Sequence, residues 1–429
     1  MKYLPIDVQL FIENRDRFRS HLLPNSLAIF NSADEYPRNG DQNFKFRQNS
    51  DFFYMSGIDQ EQSILVIFPD SPLEKYREIL FLRETNDHIA VWEGHKYTKD
   101  EATSTSGIKT VLWLDSFPAV LKELMLHAGN VYLNANENPR NATEVPDRDL
   151  RFSKDLKEKF PNHTIQRSAP IMLKLRTIKS KIEIGLLQNA CDITAKAFQR
   201  VLAFTKPGVM EYQIEAEITH EFLWNRADGH SYYPIIASGG NACILHYIEN
   251  NRECIDGDLL LLDFGCEYAN YAADLSRTIP VNGKFTPRQK EVYNAVLRVM
   301  KQAIQMLRPG TTIDTYHAAV CKLMEAELVG LGLFTAEDLK NQDPARPLFM
   351  KYYPHGTTHF LGLDVHDIGY KQLTFQPGMV FTCEPGIYIP EEGLGVRIEN
   401  DILITEGAPF DLMADIPIEV EEIEALMAK

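Results

Sequence analysis

GDLLLLDFG, residues 257–265, and GMVFTCEPG, residues 378–386, decide how this chain is read. In both, a carboxylate stands six residues after the first glycine and two before the second: Asp263 in one copy, Glu384 in the other. Each stretch is followed by another strand-like run bearing an acid, Asp274 in YAADLSRTI (271–279) and Glu399 in GVRIENDILI (395–404). Each is preceded by the same prelude. Lys206-Pro207-Gly208 runs into a helical pattern over Tyr212–Ala227, and Arg308-Pro309-Gly310 into one over Tyr316–Val329. Two copies of helix, helix and hairpin are therefore expected about a pseudo-twofold axis, which would carry four carboxylates towards one point.

An acid beside a glycine is ordinarily a turn residue. Inside apolar runs such as LLLLDFG and VFTCEPG, however, an ionised carboxylate is heavily penalised unless paired or metal-bound. Finding this twice, at matched positions, argues for a site. Histidines point the same way. His355, His359 and His366 fall in HGTTHFLGLDVHD (355–367), and His246 in ILHY (244–247) precedes Asp263 by 17 residues, as His366 precedes Glu384 by 18. Pro354, Gly356, Thr357, Thr358 and Gly362 argue against a helix around His355 and His359, so strand and loop are expected there. The nearest approach to a zincin motif, His220-Glu-Phe-Leu-Trp224, lacks the second histidine.

Four carboxylates with one or two imidazoles form a hard, oxygen-rich ligand set. It favours Mn²⁺, Mg²⁺ or Fe²⁺ over a thiolate-type zinc site, with Zn²⁺ or Co²⁺ also able to bind. Bridging carboxylates suit two metals about 3.5–4 Å apart sharing a water, an arrangement built for hydrolysis. Other chemistries lack their signatures: there is no GxSxG elbow, P-loop or GxGxxG, and Gly393-Leu-Gly395 lacks the third glycine.

The remainder frames this site. A chain of 429 residues predicts two or three domains. With 44 basic and 60 acidic residues its net charge is −16, which speaks against nucleic acid as a partner. No run approaches the ~20 apolar residues of a membrane helix, and Met1–Arg19, with Asp7, Glu13, Arg15, Asp16, Arg17 and Arg19, lacks the apolar core of a secretion signal. Six cysteines, all beyond residue 190 and without a CxxC pair, read as reduced core thiols in a cytoplasmic protein. Over the first ~170 residues, short apolar runs (Ser26–Phe30, Ser63–Phe68, Glu78–Leu82, Asn130–Leu133) alternate with helical patterns near Ile6–Leu22 and Ser116–Ala128, the mark of an α/β layer domain. Residues 134–149 are polar and proline-broken, hence a loop. Ile178, Ile182, Leu186 and Ala190 place one helical face within Ile171–Thr205, and the domain boundary is set at 172 with this helix opening the second domain.

Six blocks in order, ILHY, LLLLDFGCEYANYAADLSRT, HGTTHFLGLDVHD, PGMVFTCEPGIYI, GVRIENDILIT and the terminal EEIEAL, closely resemble the bacterial Xaa-Pro aminopeptidases, relatives of prolidase, methionine aminopeptidase and creatinase. FRQNSDFFYMSG (Phe46–Gly57) resembles the family's N-terminal motif. The resemblance implies an α/β (α+β) protein: a creatinase/prolidase-like α/β domain over 1–172 and a pseudo-twofold "pita-bread" metallopeptidase domain over 173–429. It implies two divalent ions, usually manganese, on Asp263, Asp274, His359, Glu384 and Glu399. Asp274 would bind one metal and His359 the other, with Asp263 and Glu399 holding the pair. Glu384 would also shuttle the proton; His355 and His366 would position the peptide and steady the oxyanion. His246 would line the pocket for the residue after the scissile bond, Arg397 would support the site through Asp274 or the substrate, and Tyr232 and Tyr388 are further pocket candidates. Short connections around Asp367–Phe375 and Pro390–Gly395 would border the cleft. The implied substrates are peptides with proline second, and the implied assembly a homodimer or homotetramer. A peptide bond before proline lacks an N–H, so an enzyme cleaving it must grip other groups. Two rivals stand beside this reading: a prolidase confined to dipeptides, and a metal-free pita-bread module that binds a protein.

Overall fold

The computed structural model describes residues 2–428. The chain forms two compact units, Tyr3–Arg176 and Thr177–Lys429.

The N-terminal unit is built on a mixed six-stranded sheet. Its order is Thr110–Trp113, Glu78–Leu82, Ile64–Ile67, Ser26–Asn31, Asn130–Leu133, Thr164–Arg167. Ser26–Asn31 runs antiparallel to Ile64–Ile67 and parallel to Asn130–Leu133. Leu27, Ile29, Val66, Ile79 and Phe81 pack one face of it against Phe117, Val120, Leu121 and Leu124 of the helix Phe117–Met125. The FRQNSDFFYMSG motif is architecture in this unit. Asn49 caps the helix Ser50–Ser56 by accepting from the Asp51 and Phe52 amides, and buried Gln48 bonds Ala33, Ile58 and Gln60. Gly57 ends the helix at φ +68°, where a Cβ would meet the Phe11 ring at 2.3 Å.

The helix expected across 171–205 is two helices, Ala169–Arg176 and Lys181–Phe204. Between them Ser180 and Glu183 form a capping box, each side chain bonding the other's backbone N–H, which starts a new helix instead of continuing the old one. The first helix thus closes the N-terminal unit.

The C-terminal unit repeats its plan. Helices Lys181–Phe204 and Glu211–Trp224 pack together in the first half, Pro287–Met306 and Ile313–Gly330 in the second. Antiparallel strands follow each pair: Leu259–Phe264 with Leu275–Pro280, and Val380–Cys383 with Asn400–Leu403. The repeat extends to the backbone, since Gly257 and Gly378 open the two stretches at φ +88° and +90°, left-handed values that suit glycine. Gly265 is required by contact: a Cβ there would sit 1.7 Å from the Ala273 carbonyl oxygen.

Candidate metal centre

Strand geometry brings the acids together. Asp263 lies near the end of Leu259–Phe264, opposite Ser276, and Asp274 immediately precedes that partner strand. In the other half Glu384 immediately follows Val380–Cys383, while Glu399 immediately precedes Asn400–Leu403. The halves join at Ser276, whose carbonyl accepts the Glu399 N–H at 3.1 Å and whose hydroxyl donates to Glu399 Oε2 at 2.7 Å. His359 reaches the cluster from an extended segment beside Val380–Cys383: Thr382 N–H donates to the His359 carbonyl at 3.0 Å, and His359 N–H to the Thr382 hydroxyl at 3.1 Å. The strand-and-loop expectation for this histidine agrees with that placement.

All five expected ligands converge. Ligand atoms of Asp274, His359 and Glu399 lie within 4.8 Å of one another. His359 Nε2 is 3.3 Å from Asp274 Oδ2 and 3.9 Å from Glu384 Oε1. Its Nδ1 lies 3.0 Å from the Phe360 carbonyl. A proton on Nδ1 satisfies that acceptor and turns the Nε2 lone pair inward. The Tyr232 hydroxyl, 2.7 Å from Asp263 Oδ1 and 2.5 Å from Asp274 Oδ1, bridges the acids, so the structure puts this expected pocket residue against the carboxylates.

Arg397 departs from expectation. Its Nη2 donates to Asp263 Oδ2 at 2.6 Å, not to Asp274, while Nη1 donates to the Tyr388 hydroxyl at 2.8 Å and Nε to the Ser276 hydroxyl at 2.9 Å. Position explains this: Arg397 ends the strand paired with Gly386–Ile389, and Asp274 is already engaged by Tyr232 and His359. Tyr388 passes the contact on, its hydroxyl lying 2.9 Å from His355 Nε2, while His355 Nδ1 meets the Gly356 carbonyl at 2.7 Å and lies 3.8 Å from Glu384 Oε2. His366 stands exposed with its ring centroid 4.5 Å from that of His359, nearly perpendicular. His246 is exposed on the loop after the short turn Gly239–Cys243, near enough to His355 to act on it electrostatically.

The electrostatics are those of acids crowded out of water. Burial raises the Glu399 carboxyl well above its ordinary range, and Asp274, Glu384 and Asp263 add to it. Burial likewise pushes Glu384 up to about 7, with His359 opposing and Asp274 adding. Asp263 is raised by burial against the pull of Arg397. Burial lowers His355 to about 3, with Arg397 reinforcing, so it is neutral. His359 moves upward: burial opposes its charge, but Asp274 and Glu384 prevail. Four acids in this space call for positive charge beyond one guanidinium.

Three supporting residues carried no signal in the sequence. Ser276 is described above. Asp401, fully buried, accepts the Asp274 N–H at 3.0 Å, and the Thr357 carbonyl accepts the Glu384 N–H at 2.9 Å. Each acts through strand register.

Residues 185–406 match metallopeptidase family M24, and residues 11–132 match the aminopeptidase P N-terminal domain. Over 442 aligned residues the chain is 38% identical to the Xaa-Pro aminopeptidase of Escherichia coli K12, covering 98% of each. Among solved structures, E. coli aminopeptidase P with the inhibitor Pro-Leu superposes with a TM-score of 0.88 at 35% identity, covering 99% of both chains. Pseudomonas aeruginosa aminopeptidase PepP does so at 0.90 and 32%, covering 99% of this chain and 98% of that one.

Proposed function

The chain belongs to metallopeptidase family M24, and from that premise we propose that it is a metallo-aminopeptidase hydrolysing the N-terminal Xaa-Pro bond of peptides and releasing the first residue. The observation that carries the reading is the convergence of Asp263, Asp274, His359, Glu384 and Glu399. These residues fit a pair of divalent ions. Glu399 Oε1 is buried with no hydrogen-bond partner, an oxygen held ready for a cation. The set is hard, four carboxylates and one imidazole, and manganese is the metal we assign, with zinc, cobalt and iron as alternatives. A metal-free binding module would have no use for this ligand set.

Asp274 would serve both ions. One oxygen faces Asp263 through Tyr232 and the other faces His359. Asp263, with one oxygen tied by Arg397, would help to hold one of them, so the sharing expected of Asp263 would fall to Asp274. When bound, the ions would polarise the scissile carbonyl and ease loss of a proton from water.

The protein's own groups do the rest. Glu384, buried beside His355 and His359, accepts the proton of the attacking water on a carboxylate oxygen and delivers it to the prolyl nitrogen as the C–N bond breaks. Neutral His355, its Nδ1 proton engaged by the Gly356 carbonyl and its Nε2 held by the Tyr388 hydroxyl, is a fixed ring beside Glu384 that positions the peptide. His366 and His246, on the exposed rim, position the peptide. We assign the creatinase-like domain to the N-terminal unit, whose end, set at 172 from the sequence, falls at Arg176, and the catalytic pita-bread domain to the unit that follows from Thr177. We place the protein in the cytoplasm as a homodimer or homotetramer, a compartment with which its six free cysteines agree. The deciding assay compares Xaa-Pro-Yaa tripeptides with Xaa-Pro dipeptides: release of Xaa from tripeptides is expected, and cleavage of dipeptides alone would make the protein a prolidase.

A further inference from the structure

Glu211 is a buried acid that touches none of the five metal-site residues, yet its carboxylate is saturated. It is the first residue of the helix Glu211–Trp224 and fully buried. Oε1 accepts from the Ser238 amide and hydroxyl, both at 2.7 Å, and from Asn241 Nδ2 at 3.4 Å. Oε2 accepts from the Tyr247 hydroxyl at 2.7 Å and the Arg252 amide at 2.9 Å. Its own amide donates to the Arg252 carbonyl at 2.9 Å. Every one of these partners lies between Ser238 and Arg252, the segment that carries His246.

That segment has little regular structure of its own. It runs from the short turn Gly239–Cys243 into an irregular stretch in which Ile244 and Ile248 are about half exposed, at 55% and 52%. Its buried side shares one apolar cluster with Tyr388: Ala242 and Tyr247 belong to the cluster, and Cys243 and Leu245 pack against it. Gly395 leaves room for it, since a Cβ there would sit 2.3 Å from the Ala242 carbonyl oxygen. The loop is thus pinned at both ends to one carboxylate and pressed in its middle into the cluster that holds Tyr388, the tyrosine that orients His355. A buried carboxylate is stable here because donors and the helix N-terminus satisfy it. A neutral amide would not serve, because its NH₂ would face either the Ser238 pair or the Tyr247 and Arg252 donors.

We propose that Glu211 is a positioning residue for peptide binding: it fixes the loop 238–252 and, through it, His246 and the wall that receives the chain beyond the scissile bond. The proposal rests on the Xaa-Pro peptidase reading and extends it to a residue remote from the chemistry. The test is kinetic, with binding and exchange arms, on the metal-loaded full chain. Glu211→Gln should raise KM for an Xaa-Pro-Leu tripeptide and weaken binding of Pro-Leu by about tenfold or more, because small misplacements of a binding wall are costly. Its kcat at saturation should stay within about threefold and its metal content unchanged, with faster amide hydrogen exchange confined to the loop. Tyr247→Phe, which removes one donor, should shift KM the same way by a smaller factor and serves if Glu211→Gln does not fold. In a double-mutant cycle, adding Glu211→Gln to His246→Ala should raise KM little further. Unchanged KM and Pro-Leu affinity in Glu211→Gln, additive effects in the cycle, or a fall in kcat with loss of metal would overturn the proposal. A wild-type protein that neither cleaves Xaa-Pro peptides nor binds Pro-Leu would instead overturn the peptidase reading, while the exchange arm still reports the clamp.

Discussion

Arg397 Nη2 lies 2.6 Å from Asp263 Oδ2, both side chains largely buried, and the same guanidinium holds Tyr388 and Ser276. Removing one partner of such a pair strands the other, a loss of about 3–5 kcal/mol. Arg397→Met should therefore lower the unfolding temperature and, by freeing Asp263, weaken metal retention on dialysis. Arg397→Lys keeps the charge but not the three-way fork, and should fall between wild type and Arg397→Met in both measurements.

The Tyr388 hydroxyl stands between Arg397 and His355. Tyr388→Phe removes that link without changing ring volume. His355 then loses its Nε2 partner, and kcat should fall by about tenfold, the cost of a hydrogen bond to a neutral group. Thermal stability should change much less than in Arg397→Met. Equal losses of both would argue that Tyr388 acts only as packing.

Glu384→Gln keeps shape and removes the proton carrier. Turnover should drop by about 10²–10⁴-fold, the usual worth of positioned general acid–base catalysis. Asp263→Asn should be comparably damaging by a different route, loss of a ligand. Circular dichroism of both should match wild type, and metal analysis should separate them, with the larger loss of bound metal in Asp263→Asn.

His230, which bonds none of the five metal-site residues, supplies a pH dependence of stability. It sits in the two-residue strand Gly229–His230, its Nε2 2.8 Å from the Thr219 hydroxyl and its Nδ1 buried without a partner. Burial pushes its pKa down from 6.5 to about 4. The neutral form is favoured by folding, so this contribution is complete above pH 6.5 and is lost as pH falls from there towards 4. The shift corresponds to on the order of 3 kcal/mol. His230→Gln, which cannot take up the proton, should show a gentler fall in unfolding temperature between pH 6.5 and 4.5 than wild type. Parallel curves for the two proteins would remove His230 as the titrating group.

The duplicated acids were readable from sequence because burial of a carboxylate demands a reason, and Asp263 and Glu384 sat in apolar runs at matched spacing. Their second partners, Asp274 and Glu399, followed from the repeat. The helix break was not read, although Ser180 and Glu183 have capping-box spacing, because Ile178 continued the apolar period across it. The target of Arg397 was missed for a geometric reason: which of two neighbouring acids a long side chain reaches depends on strand register, which no local pattern encodes. Ser276 and Asp401 are ordinary residue types whose effect comes only from where the two halves meet. Glu211 gave no signal in the sequence, since its donors lie 27 to 41 residues away along the chain.

Metal counting on the purified protein tests the central claim most directly. After reconstitution with Mn²⁺ and removal of excess, elemental analysis should find two ions per chain and cleavage of Xaa-Pro-Yaa. Glu399→Gln and Asp274→Asn, each missing a shared oxygen, should retain one or none and lose activity in step. A wild-type protein shown to be free of metal yet fully active, or either variant holding two ions at full activity, would contradict the account.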